Sequence, residues 1–350
     1  MPDRQLDFGW FEPQDGDSPA GRGDPHAPVT GPLPRARALA AEMSRLAGRG
    51  AFVGTSSWKY PGWLGQIYTP QRYAVGGRFS PRRFDQGCLA EYAEVFRTVC
   101  GDYAFYRFPE PGSWARTFAA LPAGFRFSLK VPEEVTAAVF PDLPRYGPRA
   151  GLPNPHFMDA DLVRRRLLEP LEPFRDRLGV LIFEFGTIRG GPASRPAGFT
   201  SMLDGMLSKL PCQRFRLAVE VRNASFLDPA GGYLDCLRAH GVAHCLNSWT
   251  RMPPVAEQLR LPGVFTAGHV VGRFLLRPGR TYAEAVRRFE PYDRLQDPYP
   301  QGRDALRELI ASAVPDTREV YAFVNNRFEG SAIGTIESLF PDPSAPPADP

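Results

Sequence analysis

The chain has no apolar run long enough to span a bilayer, and its first residues lack the apolar core of a signal peptide. It has no excess of one charge. Lysine and arginine number 42 against 38 acidic residues, a formal net charge of +4, with both signs mixed along the sequence. That balance permits contact with an anion but supplies no basic stripe for nucleic acid. Cysteines are few, five in 350 residues, with no CxxC pair and no regular framework. An odd, scattered set reads as reduced thiols, so a soluble cytoplasmic protein is expected. The five histidines form no HxH or HExxH pattern. His26 lies near the N-terminus, His156 in a loop and His240 at a helix end, while His244 and His269 fall in strands. No transition-metal cluster is expected. No cofactor is expected either, since a P-loop, a Rossmann fingerprint and a GxSxG elbow are all missing.

What is present suits a folded α/β protein. A hydrophobic fraction of 43% is ample for a core. The length could hold two domains, but one barrel with tails is equally natural. Residues 1–34, rich in Pro, Gly and Asp, read as a tail, with Phe8, Trp10 and Phe11 able to dock on the body. Residues 35–48 read as a leading helix with Leu39, Met43 and Leu46 on one side. The proline-rich residues 341–350 cannot form a regular element. Between the tails, strand-like runs at 51–56, 98–105, 125–131, 179–185, 215–222, 242–247, 264–271 and 319–325 alternate with helical ones. The helical runs are 87–96, 113–120, 159–176, 199–210, 232–240, 253–260, 302–313 and 331–340. Eight strand-then-helix units over 35–340 predict a single TIM-like (β/α)8 barrel, somewhat irregular. Val180-Leu181-Ile182-Phe183 and Val320-Tyr321-Ala322-Phe323-Val324 are apolar on both faces, as strands covered on both sides must be. Long connections at 57–86, 132–158 and 272–301 leave the strands' carboxyl ends, the face where such barrels place their chemistry.

The most informative stretch is Val219-Glu220-Val221-Arg222. Alternation puts Glu220 and Arg222 on one face at a strand's carboxyl end, where each needs a partner, a ligand or water. Glu184 is embedded in an apolar strand, where burial would raise its pKa and make it a proton donor. With Glu220 it supplies the paired carboxylates that hydrolases use. The bland alternative is a buried ion pair with Arg222, Lys130 or Arg107. Lys130, on one face with Ser128, can hold an anion, join a salt bridge, or form a Schiff base if its pKa is depressed. Arg107, beside Tyr106, can grip a phosphate or carboxylate, or pair with Asp102 or Glu220. Ser56, Trp58, Tyr60 and Trp63, after the first strand, offer flat surfaces for a ring or base, or else an aromatic plug. Asn247, Asn325 and Asn326 suit hydroxyl or amide recognition, or satisfy loop backbone.

Several of these segments resemble a known family. Gly54-Thr55-Ser56-Ser57-Trp58-Lys59-Tyr60-Pro61-Gly62-Trp63 is similar to the opening GTSGWSYPxW of the YecE-like proteins, domain of unknown function 72. Phe105-Tyr106-Arg107-Phe108-Pro109, the run Pro122–Pro132, Val219-Glu220-Val221-Arg222 and Phe323-Val324-Asn325-Asn326 follow in the same order, over roughly residues 51–340. The resemblance implies an irregular TIM barrel and no settled reaction. By analogy with the barrels of endonuclease IV and xylose isomerase, it raises phosphodiester or sugar chemistry. The chain departs from that pattern at Cys100 and Asp102, where the family usually carries Glu and Asn. It departs again at Val135-Thr136-Ala137, at His269-Val270-Val271-Gly272 and at Ser331, where the family often has histidines.

Three functions are therefore open. The first is a barrel hydrolase or isomerase acting on a phosphorylated or polyhydroxylated ligand. Glu220 and Glu184 would handle protons, and Arg222, Arg107, Lys130 and Asp102 would hold charge. Asn247, Asn325, Asn326, Ser56, Trp58, Tyr60 and Tyr106 would line the site. The second is a non-catalytic binding or partner protein on the same barrel. Nucleic-acid binding ranks below both.

Overall fold

The computed structural model describes residues 31–340. The expected tails fall almost wholly outside these described residues, Phe8, Trp10 and Phe11 among them. The chain enters through helix α1 (Pro34–Ala47), which buries Ala36, Leu39, Met43 and Leu46 at helical spacing. Eight strands follow: β1 (Ala51–Thr55), β2 (Thr98–Gly101), β3 (Arg126–Lys130), β4 (Leu178–Phe185), β5 (Leu217–Val221), β6 (Ala243–Asn247), β7 (His269–Phe274) and β8 (Glu319–Val324). All pair in parallel with their sequence neighbours, and β8 closes on β1 from Ala51↔Val320 to Thr55↔Val324. The result is the expected TIM-like (β/α)8 barrel.

The outer helices follow the strands in turn. They are α2 (Pro81–Val95), α3 (Pro111–Ala119), α4 (Ala160–Val163), α5 (Pro196–Leu207), α6 (Tyr233–His240), α7 (Val255–Gln258), α8 (Tyr282–Phe289), α9 (Pro300–Ala311) and α10 (Ala332–Glu337). Helix α4 runs on through a π-turn at Arg164–Leu168 rather than as one regular helix. Helix α8 lies inside the connection read as a plain loop. Its capping box, in which Thr281 and Glu284 satisfy each other's backbone N–H groups, explains why a helix starts there. Among the described residues, no helix is long and apolar enough to cross a membrane.

Two irregularities interrupt the barrel: a register shift between Phe127 and Leu129 in the β3–β4 pairing, and the β1–β2 seam, where a single register pair, Thr55↔Val99, joins the strands. At the seam the Tyr92 hydroxyl on α2 takes the ladder's place. It accepts from the Thr55 N–H at 3.0 Å and donates to the Thr98 carbonyl at 3.1 Å. The backbones come so close that a Cβ on Gly54 would stand 2.2 Å from the Thr98 oxygen, so only glycine fits.

Inside the barrel, Phe52, Val180, Ile182, Val271, Tyr321 and Phe323 belong to a dry apolar layer, with Phe52 and Tyr321 stacked at 5.1 Å. Above it, at the strands' carboxyl ends, stand the buried charges of the mouth, and below it, at the amino ends, lie His269 and the Arg216–Glu319 ion pair. Tyr92→Phe, which strands a buried N–H and C=O, is expected to lower stability by about 1–3 kcal/mol in urea unfolding. Gly54→Ala, which forces the seam open, should lower it by about 3 kcal/mol. Equal and negligible effects would refute this account of the seam.

Candidate active site at the barrel mouth

The mouth is organised by a paired-charge cluster. Glu184 on β4 and Glu220 on β5 are register partners and both point into the lumen. Two adjacent carboxylates in a closed interior repel unless a cation lies between them. Arg273 on β7 supplies it: its Nη1 donates to Glu184 Oε2 at 2.6 Å and to Glu220 Oε2. Arg222, one residue beyond β5, places Nη2 2.8 Å from Glu184 Oε1 and Nε 3.2 Å from Glu220 Oε1. Lys130, at the end of β3, lies 3.3 Å from Glu184 and 2.9 Å from Asp102. Aromatic rings cover the cations from outside, Phe105 at 3.5 Å from the Lys130 Nζ and Trp249 at 3.7 Å from the Arg222 guanidinium carbon. Five of these six charged groups are buried, Asp102 being the half-exposed one. Three carboxylates face three cations, so the cluster is balanced.

The balance decides protonation. Burial pushes the Glu184 carboxyl up, as its apolar strand predicts, but Arg222, then Lys130 and Arg273, pull it down further. It is held well below the usual carboxylate range, an ionised acceptor rather than the proton donor expected from burial alone. Lys130 is engaged by two carboxylates and a ring face, the salt-bridged role the sequence offered for it. Glu220, fully enclosed, also accepts a weak bond from the Cys245 thiol at 3.9 Å.

The other candidates are distributed less uniformly. Trp58, Tyr60 and Trp63 are buried. Trp58 packs edge-on to Phe127, its ring occupying the space a Cβ on Gly101 would fill, and Tyr60 packs on Trp63 and Tyr292. The buried Ser56 hydroxyl has no partner among the described residues. Asn247 spends its amide on the carbonyl of Val221 at 3.1 Å, and Asn326 accepts from the Ala332 N–H at 2.7 Å. Asn325 accepts from the Arg327 N–H at 2.9 Å. Tyr106 is half-buried under the Arg145 guanidinium, 4.7 Å away, and Arg107 is exposed on the rim. His244 and Asn247 face opposite ways: His244 points out to the Tyr233 hydroxyl at 3.1 Å. His269 bonds the Leu217 carbonyl at 3.0 Å.

Two arginines escaped the sequence reading. Arg273 fell beyond the expected end of its strand, although alternation from Val271 would have pointed it inward. Arg327 lies with its guanidinium 4.2 Å from the Tyr282 ring, near Tyr60 and Tyr292. No carboxylate pairs with it among the described residues.

A cleft of about 260 Å3 opens beside the cluster, between the connections after β3 and β4. Phe105, Glu133, Thr136, Glu184, Arg189 and Arg222 are part of its wall. The Thr136 hydroxyl there is buried without a partner among the described residues. Arg222 Nη1 makes no hydrogen bond among the described residues, its other nitrogens being committed to the glutamates. A slightly larger hollow of about 290 Å3, beside α4 and α5, lies on the barrel's flank and contains none of the clustered charges.

A closed parallel barrel with a charge-paired carboxyl-end mouth places the chain in the TIM-barrel class. More narrowly, it belongs to the family described as protein of unknown function DUF72, whose model matches residues 52–342. Solved structures of two such proteins share the fold. One from Enterococcus faecalis superposes with a TM-score of 0.55 at 17% identity, covering 83% of this chain and 94% of that one. One from Thermotoga maritima gives 0.52 at 21% identity, covering 82% and 96%. No curated protein sequence matches the chain.

Arg273→Met leaves Glu184 and Glu220 side by side without their shared cation and is expected to cost about 3–5 kcal/mol in urea unfolding. Adding Glu220→Gln should recover part of that loss, and no recovery would show that the charge is not what is missed. Burial also pushes the imidazoles of His244 and His269 down to about 4 from 6.5. Between those pH values the unfolded chain binds protons that the folded chain refuses. Stability should therefore be full above pH 6.5 and fall as the pH drops towards 4. Unfolding free energies that are equal at pH 7 and pH 5 would contradict this.

Proposed function

We propose that the barrel mouth binds a small anionic or polyhydroxylated ligand in the cleft over Arg222 and Glu184. The observation that carries this reading is the uncommitted Nη1 of Arg222, a fixed donor at the wall of the cleft. Its guanidinium is held flat between two glutamates and Trp249. Because the inner cluster is balanced, Arg222 Nη1 and the exposed Arg189 meet the ligand as donors, which favours phosphate or carboxylate. Glu133, one oxygen of which already accepts from Arg145 and Tyr146, offers its other oxygen to ligand hydroxyl groups. At about 260 Å3 the cleft is near the lower bound for small-molecule sites, which points to a compound of a few carbons, a sugar phosphate or hydroxy acid.

An ionised Glu184 can accept a proton but has none to give. The cations that keep it ionised also make it a weak base and occupy both its oxygens. Holding charge in a binding site therefore suits it better than acting as the acid of a hydrolase or the base of an isomerase. Burial of Trp58, Tyr60 and Trp63 removes the surfaces that would stack bases, which supports a small ligand over nucleic acid. A cytoplasmic setting is part of the same reading, since all five cysteines are buried free thiols.

Thermal-shift titration with inorganic phosphate, sugar phosphates, hydroxy acids and neutral sugars tests the site. One anionic class should raise the Tm by several degrees in the wild type, and Arg222→Met should abolish the shift. An equal response in both proteins, or none to any anion, rejects the proposal.

A further inference from the structure

A second group of side chains with ligating chemistry lies away from the mouth, on the outside of the barrel. Cys236 and His240 are four residues apart on α6, a spacing that stacks two side chains on one helix face. Helix α5 packs against that face and contributes Asp204. The Sγ, imidazole nitrogen and carboxylate oxygen all lie within 4.8 Å of one another. His240 Nε2 already meets Asp204 Oδ1 at 2.8 Å. The thiol forms the inner side, its residue 9% exposed, and the carboxylate the outer side, its side chain 61% exposed.

We propose that Asp204, Cys236 and His240 form a site for a zinc-class divalent ion that ties α5 to α6. One sulfur, one imidazole nitrogen and one carboxylate oxygen make a mixed set that a borderline-soft tetrahedral ion accepts, whereas Mg2+ and Ca2+ want oxygen alone. The bond lengths of such an ion, about 2.0–2.3 Å, set ligand-to-ligand edges of about 3.3–3.8 Å. The present spacing brackets that range, with the His–Asp contact at 2.8 Å and all three ligand atoms within 4.8 Å of one another. Binding exchanges the thiol proton and the His–Asp hydrogen bond for three metal bonds, and the proton passes to solvent. The exposed side leaves the fourth position to water. Without the thiol, His240 and Asp204 would be an ordinary surface ion pair; the sulfur behind them makes the group a metal site.

The test uses the full chain, freed of metal by chelation and titrated with Co2+. Expected at one equivalent are the visible bands of tetrahedral cobalt and a near-ultraviolet sulfur-to-cobalt band. Both should be lost in Cys236→Ser and His240→Ala, while Asp204→Asn weakens affinity about tenfold or more. The variants' unchanged circular dichroism would show that they still fold. Independently, one equivalent of Zn2+ should slow alkylation of Cys236 in the wild type at least tenfold, read by peptide mass spectrometry. The proposal is overturned by a missing sulfur-to-cobalt band, by bands that persist in Cys236→Ser, or by alkylation that Zn2+ does not slow. In those cases the group is only an ion pair beside a thiol. The mouth plays no part in these readouts, so their failure leaves the anion-binding reading untouched.

Discussion

The interior of this barrel depends on one guanidinium shared between two carboxylates. Glu184 and Glu220 sit on adjacent strands at the same height, so the β4–β5 pairing itself forces their charges together. Arg273 meets both from β7, and the remaining ion pairs follow from that meeting. Arg222 takes the free oxygen of each glutamate, Lys130 takes the second side of Glu184, and Asp102 balances Lys130. In so enclosed a space every charge must be matched, because an unmatched one would lose its hydration for nothing. Matching them all holds each side chain between named partners.

That matching is what gives the mouth a recognisable chemistry. Arg222 is held on its Nε and Nη2 edges by the two glutamates and on one face by Trp249. The connections after β3 and β4 wall the cleft on that side. The connection after β1 does the opposite job, filling its side of the mouth with packed aromatic rings. The mouth is therefore lopsided, open beside β3–β4 and packed shut beside β1.

Much of the fold was legible in the sequence, and the misses have physical causes. Alternating apolar runs located all eight strands, because strands covered on both faces leave no other pattern. The ends were less certain. The seventh strand, expected at 264–271, runs from His269 to Phe274 and passes through Gly272. The glycine is tolerated there because Leu309 of α9 fills the space a side chain would need. That displacement hid Arg273. The capping box of α8, Thr281 with Glu284, was readable but stood in a stretch otherwise dominated by proline and charge. For the site, alternation correctly put Glu220 and Arg222 together. It also correctly set His244 against Asn247, one facing helix α6 and the other the lumen side.

The sequence by itself determined the class of fold, the strands' inward faces, and the end of the barrel where charge would gather. These depend on local periodicity, which a strand cannot escape. Only the tertiary structure decided which charges meet across the lumen and which aromatics are sealed away. It also decided that Glu184 is held ionised, where its apolar neighbours in sequence pointed the other way. A pKa follows from distances to all nearby charges. Here the decisive cations, Arg222, Lys130 and Arg273, come from elements that closure of the barrel alone brings together.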